Sequence, residues 1–205
     1  MNSYNESYYT QKNYVSYLER RERYTRMINE LNDRLIKSLA LDKFLKHGTI
    51  VDYGCGVGFS TKALIEIGYK AVGYDPSTWA VEWGKKNLGL KGTEITDKKN
   101  EIAGHCSLML SFDVFEHMSS DEIADTLSYF SPIYLLVRIP LANTDNGDYV
   151  LNVSENDPTH IMRLTRSSWN LLLRECRYEW LYDVNLTMFY DSDGVMCSMY
   201  RKYLK

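Results

Sequence analysis

Long apolar runs are missing from this 205-residue chain, and so is a basic-then-apolar amino terminus. Both absences argue against a membrane span or a secretory signal. The four cysteines, Cys55, Cys106, Cys176 and Cys197, are widely scattered and form no Cys-x-x-Cys pair. That disfavours a zinc site or a disulfide framework and fits a reducing, cytoplasmic setting. Positive charge is not in excess: a net charge of −3 gives no general attraction to nucleic acid. Internal repeats and low-complexity tracts are absent as well. What is there, 44% hydrophobic and 25% charged residues, suits one soluble domain with a sizeable core. Tyrosine is the exception, with 17 residues, of which Tyr4, Tyr8, Tyr9, Tyr14, Tyr17 and Tyr24 precede residue 25.

Residues 1–12 are polar without a clear period, whereas 13–46 carry Ile28, Leu31, Leu35, Ile36 and Leu39 near helical spacing, closed by Gly48. Strand-like and helix-like stretches then alternate. Thr49–Tyr53, Lys70–Tyr74, Ser107–Phe112 and Ile133–Ile139 read as strands. Ser60–Ile67, Ser77–Asn87 and a segment opened by Ser119 and Glu122 as a capping box read as helices. Such alternation predicts an α/β fold with a mostly parallel sheet covered on both faces. Residues 141–158 form a long polar connection of the kind that is often functional. Two β-rich runs around Asp191–Gly194 predict a terminal antiparallel hairpin.

Residues 51–58, V-D-Y-G-C-G-V-G, place three glycines between the first strand and the first helix, at the edge where open α/β sheets bind ligands. No lysine follows at phosphate-loop spacing. A dinucleotide fingerprint would need its third glycine one residue later, where Phe59 stands. An adenosine with an amino-acid tail is the third possibility.

The stretch resembles the first motif of Rossmann-like S-adenosylmethionine-dependent methyltransferases, D-x-G-C-G-x-G, at Asp52, Gly54, Cys55, Gly56 and Gly58. G-Y-D-P-S places Asp75 where such enzymes use an acidic residue on the ribose hydroxyls. L-S-F-D-V-F-E-H-M (110–118) is similar to the segment after strand four, often ending in Glu-His. D-P-T-H (157–160), L-T-R-S-S-W-N-L-L-L (164–173) and the terminal hairpin resemble the late part of the small-molecule branch. The resemblance spans residues 48–201 and implies a methyltransferase domain over 48–205; residues 1–47 lie outside it and are expected to be a helical extension whose tyrosines cover the substrate pocket as a lid or pack on the domain or a second subunit. Asp97 is the nearest candidate for an acidic contact to adenine.

Methyl transfer from a sulfonium relies on alignment, and a base is needed only if the acceptor must lose a proton. Gly54 and Gly56 would admit the cofactor's tail and ribose, and Asp52 would act near the tail's ammonium group or by fixing the loop. Phe112 and Asp113 would line the pocket near the methyl. His117 is the best base candidate because imidazole titrates near neutrality. Glu116 would orient it or accept a proton, and His160 would reach in from a covering loop; each also fits a plain structural role. Asp113, Glu116, His117 and His160 could gather a divalent metal, but their spacing matches no standard site and none is assigned. His47 and His105 are expected at the surface. The Asp-Pro-Ser-Thr run (75–78) lacks the second proline and aromatic of base-amino methylation, and no Pro-Cys nucleophile occurs. The expected acceptor is thus an oxygen or nitrogen of a small molecule, such as a sugar or metabolite. A non-catalytic S-adenosylmethionine binder and a nicotinamide oxidoreductase are the rivals.

Overall fold

The computed structural model describes residues 4–11, 16–37 and 41–203. The chain divides into two compact units, residues 1–103 and 104–205.

The first unit opens with a short helix α1 (Glu6–Thr10), whose N-cap Asn5 accepts from the amides of Ser7 and Tyr8. Five residues are too few to show a period, which is why this helix is not visible in the sequence. A 3-10 turn (Tyr17–Glu19) leads into α2 (Arg21–Leu31), continued by a π-helical turn (Asn32–Ile36). After α3 (Asp42–His47) come β1 (Ile50–Tyr53), α4 (Phe59–Glu66), β2 (Ala71–Tyr74), α5 (Thr78–Leu88) and β3 (Ile95–Thr96). The helical stretch expected over 13–46 is therefore interrupted; Tyr14 and Leu39 lie outside the described residues. Its apolar stripe faces inward, with Ile28, Leu31 and Ile36 buried. The strands run parallel in the order β3-β2-β1. All four β1 residues are buried, as parallel strands covered on both faces require.

The second unit contains β4 (Leu108–Phe112), a 3-10 turn (Phe115–His117), α6 (Ser120–Phe130) and β5 (Tyr134–Pro140). Ser119 and Glu122 form the expected capping box on α6. The connection after β5 carries α7 (Asn152–Glu155) and precedes α8 (Arg166–Glu175), capped by Thr165. β6 (Tyr178–Asp183), a small β7–β8 hairpin (Asn185–Leu186, Phe189–Tyr190) and β9 (Val195–Lys202) complete the chain. Strand order here is β4-β5-β9-β6, with β9 antiparallel to both neighbours. The terminal hairpin is present, but its first run breaks at Val184 and doubles back as β7–β8 before β9 begins. The fold is α/β, a mostly parallel seven-stranded sheet with flanking helices and a terminal antiparallel hairpin.

Candidate functional site

In the first unit the glycine loop joins β1 to α4. The amides of Gly54 and Cys55 both bond to the Tyr74 carbonyl, which turns the chain back over the end of β2. Gly56 and Gly58 have φ of 55° and 86°, a left-handed backbone that glycine adopts without penalty. A Cβ on Gly58 would lie 2.7 Å from Leu90 and 2.9 Å from Ile95, so the loop can sit this close only without a side chain.

Asp75 follows β2 and is buried. Its carboxylate accepts from the Gly56 amide at 2.8 Å and the Ser77 amide at 2.9 Å, tying the loop to the start of α5. Burial raises its pKa, while these bonds and one from Tyr9 pull it down. The Tyr9 hydroxyl, from α1, donates to Asp75 Oδ1 at 3.0 Å, and its ring stacks on Trp79 with centroids 5.6 Å apart. Tyr17 lies beside it, its hydroxyl 2.4 Å from where a Gly56 Cβ would stand. Two tyrosines of the amino-terminal segment thus pack on the expected ribose carboxylate and its loop. Neither was singled out for this contact by the sequence; the early tyrosine excess was its only signal.

Asp52, on β1, accepts from the Thr61 hydroxyl at 2.7 Å, and burial pushes its carboxyl up to about 6. Cys55 is buried behind the loop, where burial drives its thiol well above the ordinary range. Asp97 follows β3 and accepts from Thr78 at the start of α5, 2.6 Å away. The donor set fits an adenosyl group: a buried carboxylate already holding a hydroxyl, beside glycines without side chains.

In the second unit, Phe112 ends β4 and packs on Phe189 with ring centroids 4.2 Å apart. Asp113 has φ 56° and pairs with Arg138 of β5. The turn after β4 then buries Glu116 completely, and neither of its carboxylate oxygens has a hydrogen-bond partner. Burial, reinforced by Asp113, raises its pKa well above the carboxylate range. The Glu116 carbonyl accepts from the amides of Ile161 and Met162 at 2.9 and 3.0 Å. Those bonds bring His160 Nε2 to 3.9 Å from Glu116 Oε1 and put the His117 and His160 rings 4.6 Å apart. Burial lowers both imidazole pKa values and keeps the rings neutral.

His117 Nδ1 lies 3.1 Å from the Thr159 carbonyl and 2.9 Å from its hydroxyl, which itself donates to Asp157. A carbonyl can only accept, so Nδ1 carries the proton and Nε2 the lone pair. Of the four residues considered for a metal, Glu116, His117 and His160 come together, with one donor atom each within 4.8 Å of the others. Asp113 is taken by Arg138. Thr159 and Asp157 act behind His117, a role legible only as the D-P-T-H run. His47 and His105 are exposed, as expected.

A family model described as a methyltransferase domain matches residues 17–180. The chain belongs to this methyltransferase family. Its cofactor is S-adenosylmethionine. The methyltransferase is similar in fold to magnesium protoporphyrin IX methyltransferase (ChlM) from Synechocystis, solved with bound cofactor. The TM-score is 0.59 at 15% identity, over 96% of this chain and 89% of that one. The pyocyanin biosynthetic protein PhzM gives 0.59 at 15%, over 86% of this chain and 54% of that one. An S-adenosylmethionine-dependent methyltransferase from Archaeoglobus fulgidus gives 0.59 at 11%, over 92% and 100%. No curated protein matches the methyltransferase by sequence. No helix among the described residues is long and apolar enough to cross a membrane.

Proposed function

We propose that this methyltransferase methylates an oxygen or nitrogen of a small molecule, with Glu116, His117 and His160 meeting the acceptor. The observation that carries this is the buried Glu116 carboxylate, without hydrogen bonds, flanked by two neutral imidazoles. A buried carboxyl group without hydrogen bonds costs stability, so its retention points to chemistry. Exposed apolar side chains on the connection beside His160, Val153 and Ile161, suit an acceptor with an apolar body. Two fold neighbours are a magnesium protoporphyrin IX methyltransferase and a pyocyanin biosynthetic protein, which also favours small molecules. Net charge −3 weighs against nucleic acid.

The cofactor supplies an activated methyl on a sulfonium. On this reading Asp75 takes the ribose hydroxyls, Gly54, Cys55, Gly56 and Gly58 shape the loop around the tail, and Asp52 faces its ammonium. Asp97 serves the adenine, and Phe112 and Asp113 line the methyl end. The amino-terminal extension forms part of the substrate pocket, and its Tyr9 reaches Asp75. Glu116, His117 and His160 hold the acceptor's hydroxyl or amine, and the Nε2 lone pair of His117 receives its proton; contributions of about a hundred- to ten-thousandfold are usual for such groups.

The test is release of S-adenosylhomocysteine with pools of hydroxyl- and amine-bearing metabolites, against RNA, DNA and protein as acceptors. Turnover on a metabolite pool, lowered about a hundredfold or more by Glu116→Gln, is expected. Turnover on nucleic acid or protein alone would overturn the small-molecule reading, and full activity of Glu116→Gln would remove that residue from the site.

A further inference from the structure

We propose that Glu116, His117 and His160 bind one divalent transition-metal cation, such as Mn2+ or Zn2+. The first support is the orphaned carboxylate. Buried polar atoms without partners are rare, and an ion is one of the few things that explains them. Glu116 offers two such oxygens at zero exposure. His160 Nε2 is 3.9 Å from Oε1, too far for a hydrogen bond and suited to an atom placed between them.

The second support is donor chemistry. Two imidazole nitrogens and one carboxylate oxygen are a common ligand set for Zn2+, Mn2+ and Fe2+. Donors about 2.1 Å from one ion lie about 3–3.5 Å apart in tetrahedral or octahedral arrangements. The present donors, within 4.8 Å of one another, need only small side-chain rotations to close.

A third, independent feature is the layer behind the ligands. Asp157 accepts from the Thr159 hydroxyl and Thr159 accepts from His117 Nδ1, a carboxylate–hydroxyl–imidazole chain. It fixes the tautomer that leaves the lone pair on Nε2, as supporting groups do at metal sites. Asp157 Oδ2 lies 3.9 Å from His160 Nε2, adding negative charge. The nearby guanidinium groups of Arg138 and Arg163 are paired with Asp113 and Glu155. A divalent cation would displace the Glu116 proton and balance the charge of Glu116 and Asp157.

The cation's role in catalysis rests on the acceptor reading above. With a cation bound, Glu116, His117 and His160 would serve as its ligands in place of their role as proton acceptors, and the cation would lower the pKa of an acceptor hydroxyl so that its proton leaves to water. Cation binding itself stands apart from that reading.

The test uses the full chain, stripped with chelator and titrated with MnCl2, with the spectrum of free Mn2+ followed by electron paramagnetic resonance. One Mn2+ per chain is expected, weakened about tenfold or more by Glu116→Gln and by His160→Ala, and unchanged by His105→Ala. Circular dichroism checks folding; His160→Gln replaces His160→Ala if the latter does not fold. The visible absorption of bound Co2+ should likewise disappear in Glu116→Gln. No Mn2+ uptake at millimolar concentration, or uptake that ignores both ligand substitutions, overturns the proposal. S-adenosylhomocysteine binding is measured on the same sample. Its retention without Mn2+ uptake sinks the cation alone; Mn2+ uptake without it sinks the methyl-transfer reading and leaves the cation site standing.

Discussion

Asp52 shows what a buried carboxylate does to a cofactor-free protein. Burial lifts its carboxyl from 3.8 to about 6, and the Thr61 hydrogen bond only partly opposes this. Below the lower value both folded and unfolded chains are protonated there. As pH rises toward 6 the unfolded chain ionises first, so this stabilisation is complete below about pH 4 and lost through the folded pKa. The gap corresponds to about 3 kcal/mol. Asp52→Asn cannot titrate, so without cofactor it should gain stability relative to wild type between about pH 4 and pH 7. Urea unfolding at both ends of that range measures it; parallel curves would show that Asp52 is not the group responsible. Single residues were legible where chemistry fixes their place, as with Asp52 and Asp75 at strand ends. The Tyr9–Asp75 bond was not, because it joins positions 66 apart and no local pattern records it.

The elements around the cofactor loop were legible because each carries its own signal. β1 is a short apolar run, α5 starts at a serine cap and ends at Gly89, and α6 opens with a capping box. The segment carrying α1 was obscure, because its five residues form a helix through the Asn5 cap and tertiary contact rather than an apolar stripe. Yet this segment reaches the carboxylate proposed for the ribose. The Tyr9 hydroxyl uses the carboxylate assigned to the ribose, and the ring rests on Trp79. On the proposed assignment of Asp75 to the ribose, cofactor binding displaces a hydrogen bond worth about 0.5–1.5 kcal/mol. Tyr9→Phe keeps the ring and removes the hydroxyl, so S-adenosylhomocysteine should bind about two- to tenfold more tightly. Calorimetry on the two proteins decides it. Weaker binding in the variant would mean that the hydroxyl reaches the cofactor instead of standing in its place.

For the molecule as a whole, alternation of strands and helices was enough to read a mostly parallel sheet with a terminal hairpin. The β7–β8 detour was missed because W-L-Y-D-V-N-L-T-M-F-Y is β-rich throughout and gives no sign of doubling back. The gathering of Glu116 with His160 was only half legible. Each sits in a recognisable run, but the backbone bonds from Ile161 and Met162 to residue 116 that unite them have no counterpart in the sequence. What unites the cofactor side is Asp75, and it is open to one decisive measurement. Calorimetric titration of S-adenosylmethionine, S-adenosylhomocysteine and nicotinamide dinucleotides into wild type and Asp75→Ala should give binding of both adenosyl ligands in the micromolar range and none of the dinucleotides. Asp75→Ala, still folded, should lose about ten- to hundredfold in affinity, the value of charge-assisted hydrogen bonds to two hydroxyls. Tight nicotinamide binding with no response to either adenosyl ligand, or a dissociation constant unmoved by Asp75→Ala, would contradict this assignment of the loop and its carboxylate.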